Sequence, residues 1–229
     1  MPSALILLAD GTEEMEFTIT YDTLVRAGIA CCSAYVQESS GSEKPLYATG
    51  SRGIRIVSDT VFDEQTANTS YDVLVIPGGA KGAEIISTNT AVQALVREFL
   101  EQDKIVGMIC AGSLTALSSK LPRQPLTSHP SVKAQLENDF DYSEQPVVVS
   151  KNLVTRYVVC TLPRVKHQLS TLCIVWQSRP RYFPATSSEI TRLAGTAFPF
   201  ALTLVELLCG ADKRAEVRAP MVFPADTPF

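Results

Sequence analysis

Cys110 is the residue of this sequence with the strongest case for chemistry. It follows the apolar run Ile105–Ile109 and precedes the small residues Ala111 and Gly112, which permit a sharp turn into a helix. At such a turn the sulfur would face unpaired backbone N–H groups and the positive end of the helix, and both favour a thiolate over a thiol. We therefore expect an activated nucleophile, with a buried structural cysteine as the alternative.

Glu13, Glu14 and Glu16 form an acidic cluster after the first apolar run. Helical spacing cannot aim all three at one place, so we expect only one of them to reach the sulfur. A carboxyl beside a thiolate would have its pKa raised by like charge and desolvation, which leaves a proton for acid–base chemistry. The alternative is that the acids lie in solvent, because the helix dipole favours acids in a first turn.

Gly78 and Gly79 follow another apolar run, Val73–Ile76. Glycines at this place allow backbone N–H groups to come close to a substrate, as an oxyanion hole requires, although a plain turn also explains the pair. His129 is the other candidate. A lone histidine is more often a hydrogen-bonded loop residue than a catalyst, and its spacing does not decide between the two.

Short apolar runs are the elements that would position these residues. Residues 4–9, 73–76 and 105–109 are unbroken rather than alternating, which is typical of strands covered on both faces in a parallel sheet. Helical spacing follows each run, a last helix is predicted at 197–209, and residues 40–58 suggest a hairpin beside the sheet. This alternation predicts an α/β fold with helices on both faces of the sheet. Ligands bind beyond the carboxyl ends of such strands, so the cysteine, acidic and glycine segments should converge on one rim.

The composition excludes several classes of protein. The chain has 229 residues, a net charge of -4, and no apolar stretch long enough to span a membrane, so neither nucleic acid nor membrane is an expected partner. Six cysteines without a Cys-x-x-Cys spacing and two histidines argue against a zinc site or a secreted disulfide scaffold. We expect a cytoplasmic protein, with the nucleus as a second compartment.

Taken together, the motifs resemble the DJ-1 branch of the ThiJ/PfpI superfamily, which is class I glutamine amidotransferase-like. The resemblance rests on segments that follow one another along the chain, namely Ala9-Asp10-Gly11-Thr12-Glu13-Glu14-Met15-Glu16, Arg26-Ala27-Gly28, Tyr71-Asp72-Val73-Leu74-Val75-Ile76-Pro77-Gly78-Gly79, Ile109-Cys110-Ala111-Gly112, Thr127-Ser128-His129-Pro130 and Gly195-Thr196-Ala197-Phe198.

This resemblance implies a flavodoxin-like sandwich, with a mostly parallel sheet, that forms a homodimer. By position, it makes Cys110 the nucleophile, Glu16 the glutamate that transfers protons and His129 a third catalytic residue. The residues implied around the substrate are Gly78, Gly79, Ala111, Arg52 and His129, the last two partly at the dimer interface. Protease-like relatives often place a histidine directly after the cysteine, and the alanine found here disfavours a Cys-His-Glu hydrolase.

The activity implied by the resemblance is a glutathione-independent glyoxalase, also called glyoxalase III or D-lactate dehydratase. Such a lyase detoxifies methylglyoxal, a small reactive aldehyde, through a cysteine hemithioacetal and needs no cofactor or metal. Three alternatives remain open. Cys110 could be an oxidative-stress sensor whose sulfinic form is stabilised by protonated Glu16, or the protein could be a chaperone or a protein deglycase.

We expect a single domain over residues 1–229, interrupted by an atypical insertion at about 156–191. The stretch has no helical or strand period, which is unusual inside a compact domain. Its removal would join Thr155 to Arg192 and restore the family pattern. A surface insertion and a retained, translated intron are the two interpretations, and the restored pattern favours the intron.

Overall fold

The computed structural model describes residues 1–38, 47–63, 66, 70–157 and 197–223. Its centre is a seven-stranded sheet with the strand order β10-β11-β7-β6-β1-β2-β5. Neighbouring strands in this sheet are parallel except β10 and β11, which are antiparallel. Its strands are β1 (Ser3–Leu8), β2 (Ala30–Tyr35), β5 (Thr60–Val61), β6 (Val73–Ile76), β7 (Ile105–Ile109), β10 (Val147–Ser150) and β11 (Leu153–Arg156).

Two small sheets flank the large one. In the first, β3 (Tyr47–Thr49) pairs antiparallel with β4 (Arg55–Val57), as expected of the predicted hairpin. In the second, β8 (Pro125–Leu126) pairs with β9 (Asp141–Tyr142).

Seven α-helices are described, and they lie on both faces of the sheet. Their bounds are α1 (Glu14–Arg26), α2 (Ala80–Thr88), α3 (Thr90–Glu101), α4 (Leu114–Ser118), α5 (Lys133–Leu136), α6 (Ala197–Cys209) and α7 (Ala211–Arg218). Short 3-10 turns at Cys110–Ser113 and Pro130–Val132 precede α4 and α5.

The unbroken apolar strands contribute side chains to two separate hydrophobic cores, because alternate side chains point to opposite faces of the sheet. Leu5 and Leu7 of β1 belong to the core beneath α2 and α3, whereas Ile6 and Leu8 belong to the core beneath α1 and α6. Both faces are therefore covered, as the sequence predicted for a parallel sheet. The flavodoxin-like α/β prediction is confirmed.

Arg156, the first residue of the predicted insertion, is the last residue of β11 and pairs in register with Ile109 of β7. The remainder of that insertion lies almost wholly outside the described residues, which resume at α6. No helix in the described part of the chain is long and apolar enough to cross a membrane.

Candidate active site

Cys110 lies at a strained turn between β7 and α4. Its φ angle is 62°, in the left-handed region that residues other than glycine seldom adopt. The turn passes so close to β6 that a β-carbon at Gly112 would lie 2.6 Å from the carbonyl oxygen of Ile76. Only glycine fits there, and the elbow predicted from the sequence is therefore held against the neighbouring strand.

Glu16, in the first turn of α1, is the acid that reaches the cysteine. Its side chain is 3% exposed, and its Oε2 accepts a hydrogen bond of 2.8 Å from the Gly78 N–H. A second hydrogen bond joins the carboxyl to the Cys110 thiol. Gly78 is wedged against both groups, because a β-carbon there would lie 2.7 Å from Glu16 Oε2 and 3.0 Å from Cys110 Sγ.

Burial, helped by the negative charge of Glu13, raises the pKa of Glu16 to about 8 against the hydrogen bonds from Cys110 and Gly78, which lower it. The carboxyl is consequently protonated at neutral pH. This is the proton that acid–base chemistry requires, and the expectation of a proton-bearing acid beside the sulfur agrees with the structure.

Cys110 differs from the expectation of a thiolate. Burial raises the pKa of its thiol well above the usual range, and the charge and hydrogen bond of Glu16 add to the rise. The N–H groups of Ala111 and Gly79 lower the pKa but do not compensate. The backbone donors of the turn thus favour the thiolate in the predicted direction, but desolvation outweighs them, so the sulfur is not ionised as the sequence led us to expect.

The other two acids of the cluster have different partners. Glu13 caps α1 by accepting a hydrogen bond of 2.9 Å from the Glu16 N–H. Glu14 is buried and turns to the loop between β3 and β4, where it accepts hydrogen bonds from Ser51 and Arg52. Only one of the three acids faces the sulfur, as predicted.

A cavity of about 240 Å³ opens over the cysteine. Six of the seven predicted site residues line it, and the seventh, Gly78, lies behind Cys110 and Glu16. The lining residues are Glu13, Glu16, Ser51, Arg52, Gly79, Ala80, Cys110, Ala111, His129 and Ser131. Within the described chain, no group of histidine, cysteine and acidic side chains could hold a metal ion.

His129 contacts the site mainly through its backbone. Its N–H donates to the Cys110 carbonyl oxygen over 3.1 Å, and its Nδ1 accepts a hydrogen bond from the Ser131 N–H. Burial lowers the pKa of the imidazole, which keeps it neutral. The histidine thus supports the elbow and forms part of the wall, and a catalytic role for it stays a prediction.

The two predicted oxyanion donors differ in availability. The Gly78 N–H already donates to Glu16, so it is not free for a substrate. The Gly79 and Ala111 N–H groups both point at the sulfur of Cys110. Gly79 has a φ of 90°, and a β-carbon there would clash with the carbonyl oxygen of Gly11, so only glycine can present its N–H at this position.

Sequence reasoning missed three members of the wall, Ser51, Ala80 and Ser131. Each adjoins a residue that was predicted, namely Arg52, Gly79 and the His129-Pro130 turn. Their hydroxyl and methyl groups carry no signal of their own, and only the neighbouring positions could have indicated them.

A family model described as the DJ-1/PfpI family matches residues 2–171. The chain belongs to the DJ-1/PfpI family. Among curated DJ-1/PfpI relatives, the glutathione-independent glyoxalase DJ-1 of Schizosaccharomyces pombe is 39% identical over 161 residues, covering 68% of this chain and 82% of that protein. The glutathione-independent glyoxalase DJR-1.2 of Caenorhabditis elegans is 27% identical over 221 residues, covering 96% of this chain and 95% of that protein.

The solved structure of Schizosaccharomyces pombe DJ-1 superposes with a TM-score of 0.75 at 32% identity. The superposition covers 97% of this chain and 100% of the solved chain. The family and the fold of this DJ-1/PfpI member are thus established independently by sequence and by structure.

Proposed function

We propose that this protein is a glutathione-independent glyoxalase that converts methylglyoxal to lactate. One observation carries the proposal, the buried Glu16 carboxyl hydrogen-bonded to the Cys110 thiol. This pair combines a nucleophile with a group that can move a proton between neighbouring atoms. Two relatives of the chain are named glutathione-independent glyoxalases, which supports the same reaction.

The reaction begins when the pair loses one proton. The remaining proton is shared, and the form with the proton on Glu16 presents a thiolate to the cavity. Cys110 Sγ then bonds to the aldehyde carbon of methylglyoxal, and the carbonyl oxygen takes the proton from Glu16 to give a hemithioacetal. The Gly79 and Ala111 N–H groups lie beside the sulfur and stabilise the developing oxyanion.

The second stage moves hydrogen between two carbons. The Glu16 carboxylate removes the proton from the carbon bonded to sulfur and delivers it to the oxygen of the neighbouring carbonyl, which gives an enediol. It then takes the hydroxyl proton from the oxygen on the sulfur-bearing carbon and delivers it to the neighbouring carbon. The product is a thioester of lactate on Cys110. Water hydrolyses it, lactate leaves, and the thiol regains its proton. The steps consume methylglyoxal and one water and need no redox partner.

The experiment is a glutathione-free assay of lactate formed from methylglyoxal. We expect Cys110→Ser to lose activity by several orders of magnitude and Glu16→Gln to lose at least about a hundredfold, the usual contribution of a general acid–base group. Cys209→Ser is the matched control, because that cysteine ends α6 and does not line the cavity. Lactate formation at the wild-type rate by Cys110→Ser would exclude the proposal.

The sensor hypothesis uses the same two residues. Protonated Glu16 could donate a hydrogen bond to a sulfinate on Cys110, but the raised pKa of the thiol disfavours rapid oxidation. The two functions are separated by comparing turnover of methylglyoxal with the mass-spectrometric occupancy of oxidised Cys110 at low peroxide. High occupancy without turnover would favour the sensor.

We propose that the protein is a homodimer and that the β3–β4 side of the molecule forms its interface. Met15 at the start of α1 is 40% exposed, Ile54 is 59% exposed and Val57 in β4 is 71% exposed. Met15 follows Glu14, which accepts a hydrogen bond from the Ile54 N–H, and exposed apolar side chains brought together in this way are typical of an interaction surface. Analytical ultracentrifugation should show a dimer for wild type and a monomer for Val57→Asp. The cytoplasmic and nuclear location stays a prediction, which cell fractionation would check.

We also propose that residues 156–191 derive from a retained intron. Excision would place Arg192 directly after Thr155, so that an arginine would still end β11. Peptide mapping of the native protein tests this, because recovery of the peptide containing Trp176 would show that the stretch is present. Lactate assays with and without residues 156–191 would then measure its effect on activity.

A further inference from the structure

We propose that Glu14 is a positioning residue, whose buried carboxylate holds residues 50–54 so that Ser51 and Arg52 form one wall of the cysteine cavity. Its Oε2 accepts a hydrogen bond of 2.9 Å from Ser51 Oγ. Its Oε1 accepts one of 2.5 Å from the Arg52 N–H and a longer one of 3.5 Å from the Ile54 N–H. One side chain thus binds three positions of the loop.

The charge of Glu14 is what makes these bonds strong. Only 3% of the residue is exposed, and burial raises the pKa of its carboxyl, but the hydrogen bonds from backbone N–H groups and from the Ser51 hydroxyl together bring the pKa below its usual value. The group is therefore an anion at neutral pH. Hydrogen bonds to a buried carboxylate are roughly twice as strong as those between neutral groups.

The loop is shaped to receive this carboxylate. A β-carbon at Gly50 would lie 2.5 Å from Glu14 Oε1, so the backbone approaches as closely as only glycine permits. The Ser51 N–H also donates to the Thr12 carbonyl oxygen over 2.8 Å, just before α1. The loop is thereby attached to the first turn of the helix that carries Glu16.

Arg52 is the residue whose position depends on Glu14. Arg52 lines the cavity, and its guanidinium makes one described hydrogen bond, of 3.3 Å from Nη1 to the Ser51 carbonyl oxygen. Among the described residues it forms no ion pair. A cation in this wall would attract an anionic or strongly polar group that enters toward Cys110, and its placement depends on Glu14 through the Arg52 N–H.

The test compares the rates at which iodoacetate and iodoacetamide alkylate Cys110. The two reagents react through the same sulfur and differ in charge, so their rate ratio reports the cation in the wall and not the reactivity of the thiol. The inference concerns the site of the proposed function, but alkylation does not require glyoxalase activity, so either proposal can fail alone.

We expect Arg52→Ala to lower the iodoacetate-to-iodoacetamide ratio about threefold, as is typical for one exposed charge. Glu14→Ala should lower it by a similar factor, and the double variant should fall no further, because both changes remove the same placed cation. Glu14→Gln should keep most of the wild-type iodoacetate-to-iodoacetamide ratio. Its amide oxygen can accept a hydrogen bond from the Arg52 N–H, and its amide nitrogen can donate one to Ser51.

Gly50→Ala provides a second route if Glu14→Ala does not fold, because the added methyl group would push the loop away from an intact Glu14. It should lower the ratio in the same way. Asp22→Ala, an exposed acid on the same helix, is the matched control and should leave the ratio unchanged. A wild-type ratio in Glu14→Ala or in Gly50→Ala, or effects of Glu14→Ala and Arg52→Ala that multiply, would overturn the proposal.

Discussion

The Gly78 N–H donates a hydrogen bond of 2.8 Å to Glu16 Oε2, although the two residues are 62 positions apart in the chain. This bond joins the turn after β6 to the first turn of α1, and Cys110 lies against the same glycine. The nucleophile and its acid are thus held together by a residue that has no side chain.

Gly78→Ala should abolish activity and destabilise the fold. The new methyl group would lie within 3.0 Å of Cys110 Sγ and Glu16 Oε2, and overpacking of this kind costs about 1–3 kcal/mol. Thermal unfolding and lactate formation would measure both effects. Gly28→Ala is the control: its φ is 78° with open space around it, so it should destabilise the protein without affecting turnover. An active Gly78→Ala enzyme would contradict the described packing.

The pH dependence of kcat/KM should show activity rising as pH increases through about 8. The pKa of Glu16 is about 8, and the pair must lose one proton before the sulfur can attack. Rates measured from pH 6 to 10 would test this. A profile already flat above pH 6 would indicate a pair that has lost its first proton at lower pH.

Glu13→Gln should move that midpoint to lower pH. The negative charge of Glu13 is one of the two causes that raise the pKa of Glu16, and the amide removes the charge. The amide oxygen can still accept the Glu16 N–H and cap α1. The same pH–rate measurement would detect the shift. A midpoint at the wild-type pH would show that the charge of Glu13 does not raise the pKa of Glu16.

Glu16→Gln should be more stable than wild type at alkaline pH. The folded pKa of Glu16 is raised from 4.5 to about 8, so wild type is most stable below about pH 4.5 and loses that contribution as pH rises to about 8. Each pKa unit is worth about 1.4 kcal/mol. The free energies of unfolding of wild type and Glu16→Gln, measured with urea, should be similar at pH 5, whereas at pH 9 that of Glu16→Gln should be larger. Equal pH dependence in both proteins would argue against a buried, neutral Glu16.

Much of the fold followed from hydrophobic pattern. The runs at residues 4–9, 73–76 and 105–109 became three neighbouring central strands because continuous apolar sequence can be satisfied only where both sheet faces are covered. The helix predicted at 197–209 has those bounds in the structure.

The electrostatics of the site could not be predicted as well. A sequence shows that Cys110 follows a strand, but not how deeply its sulfur is buried, and burial decides the sign of the pKa shift. Nor could spacing separate the tasks of Glu13, Glu14 and Glu16, because their partners come from distant segments. The Glu14 carboxylate, for instance, meets a loop nearly forty residues further along the chain.

Gly79, Gly82 and Gly112 bring segments of the rim into direct backbone contact, Gly78 packs on the side chains of Cys110 and Glu16, and none of the four has room for a side chain. Natural variants of this enzyme therefore have little freedom to reshape the floor around the sulfur. The β3–β4 hairpin offers more room for change, because the exposed Arg52 lines the cavity from that side. Directed evolution for other aldehydes should accordingly concentrate its substitutions there.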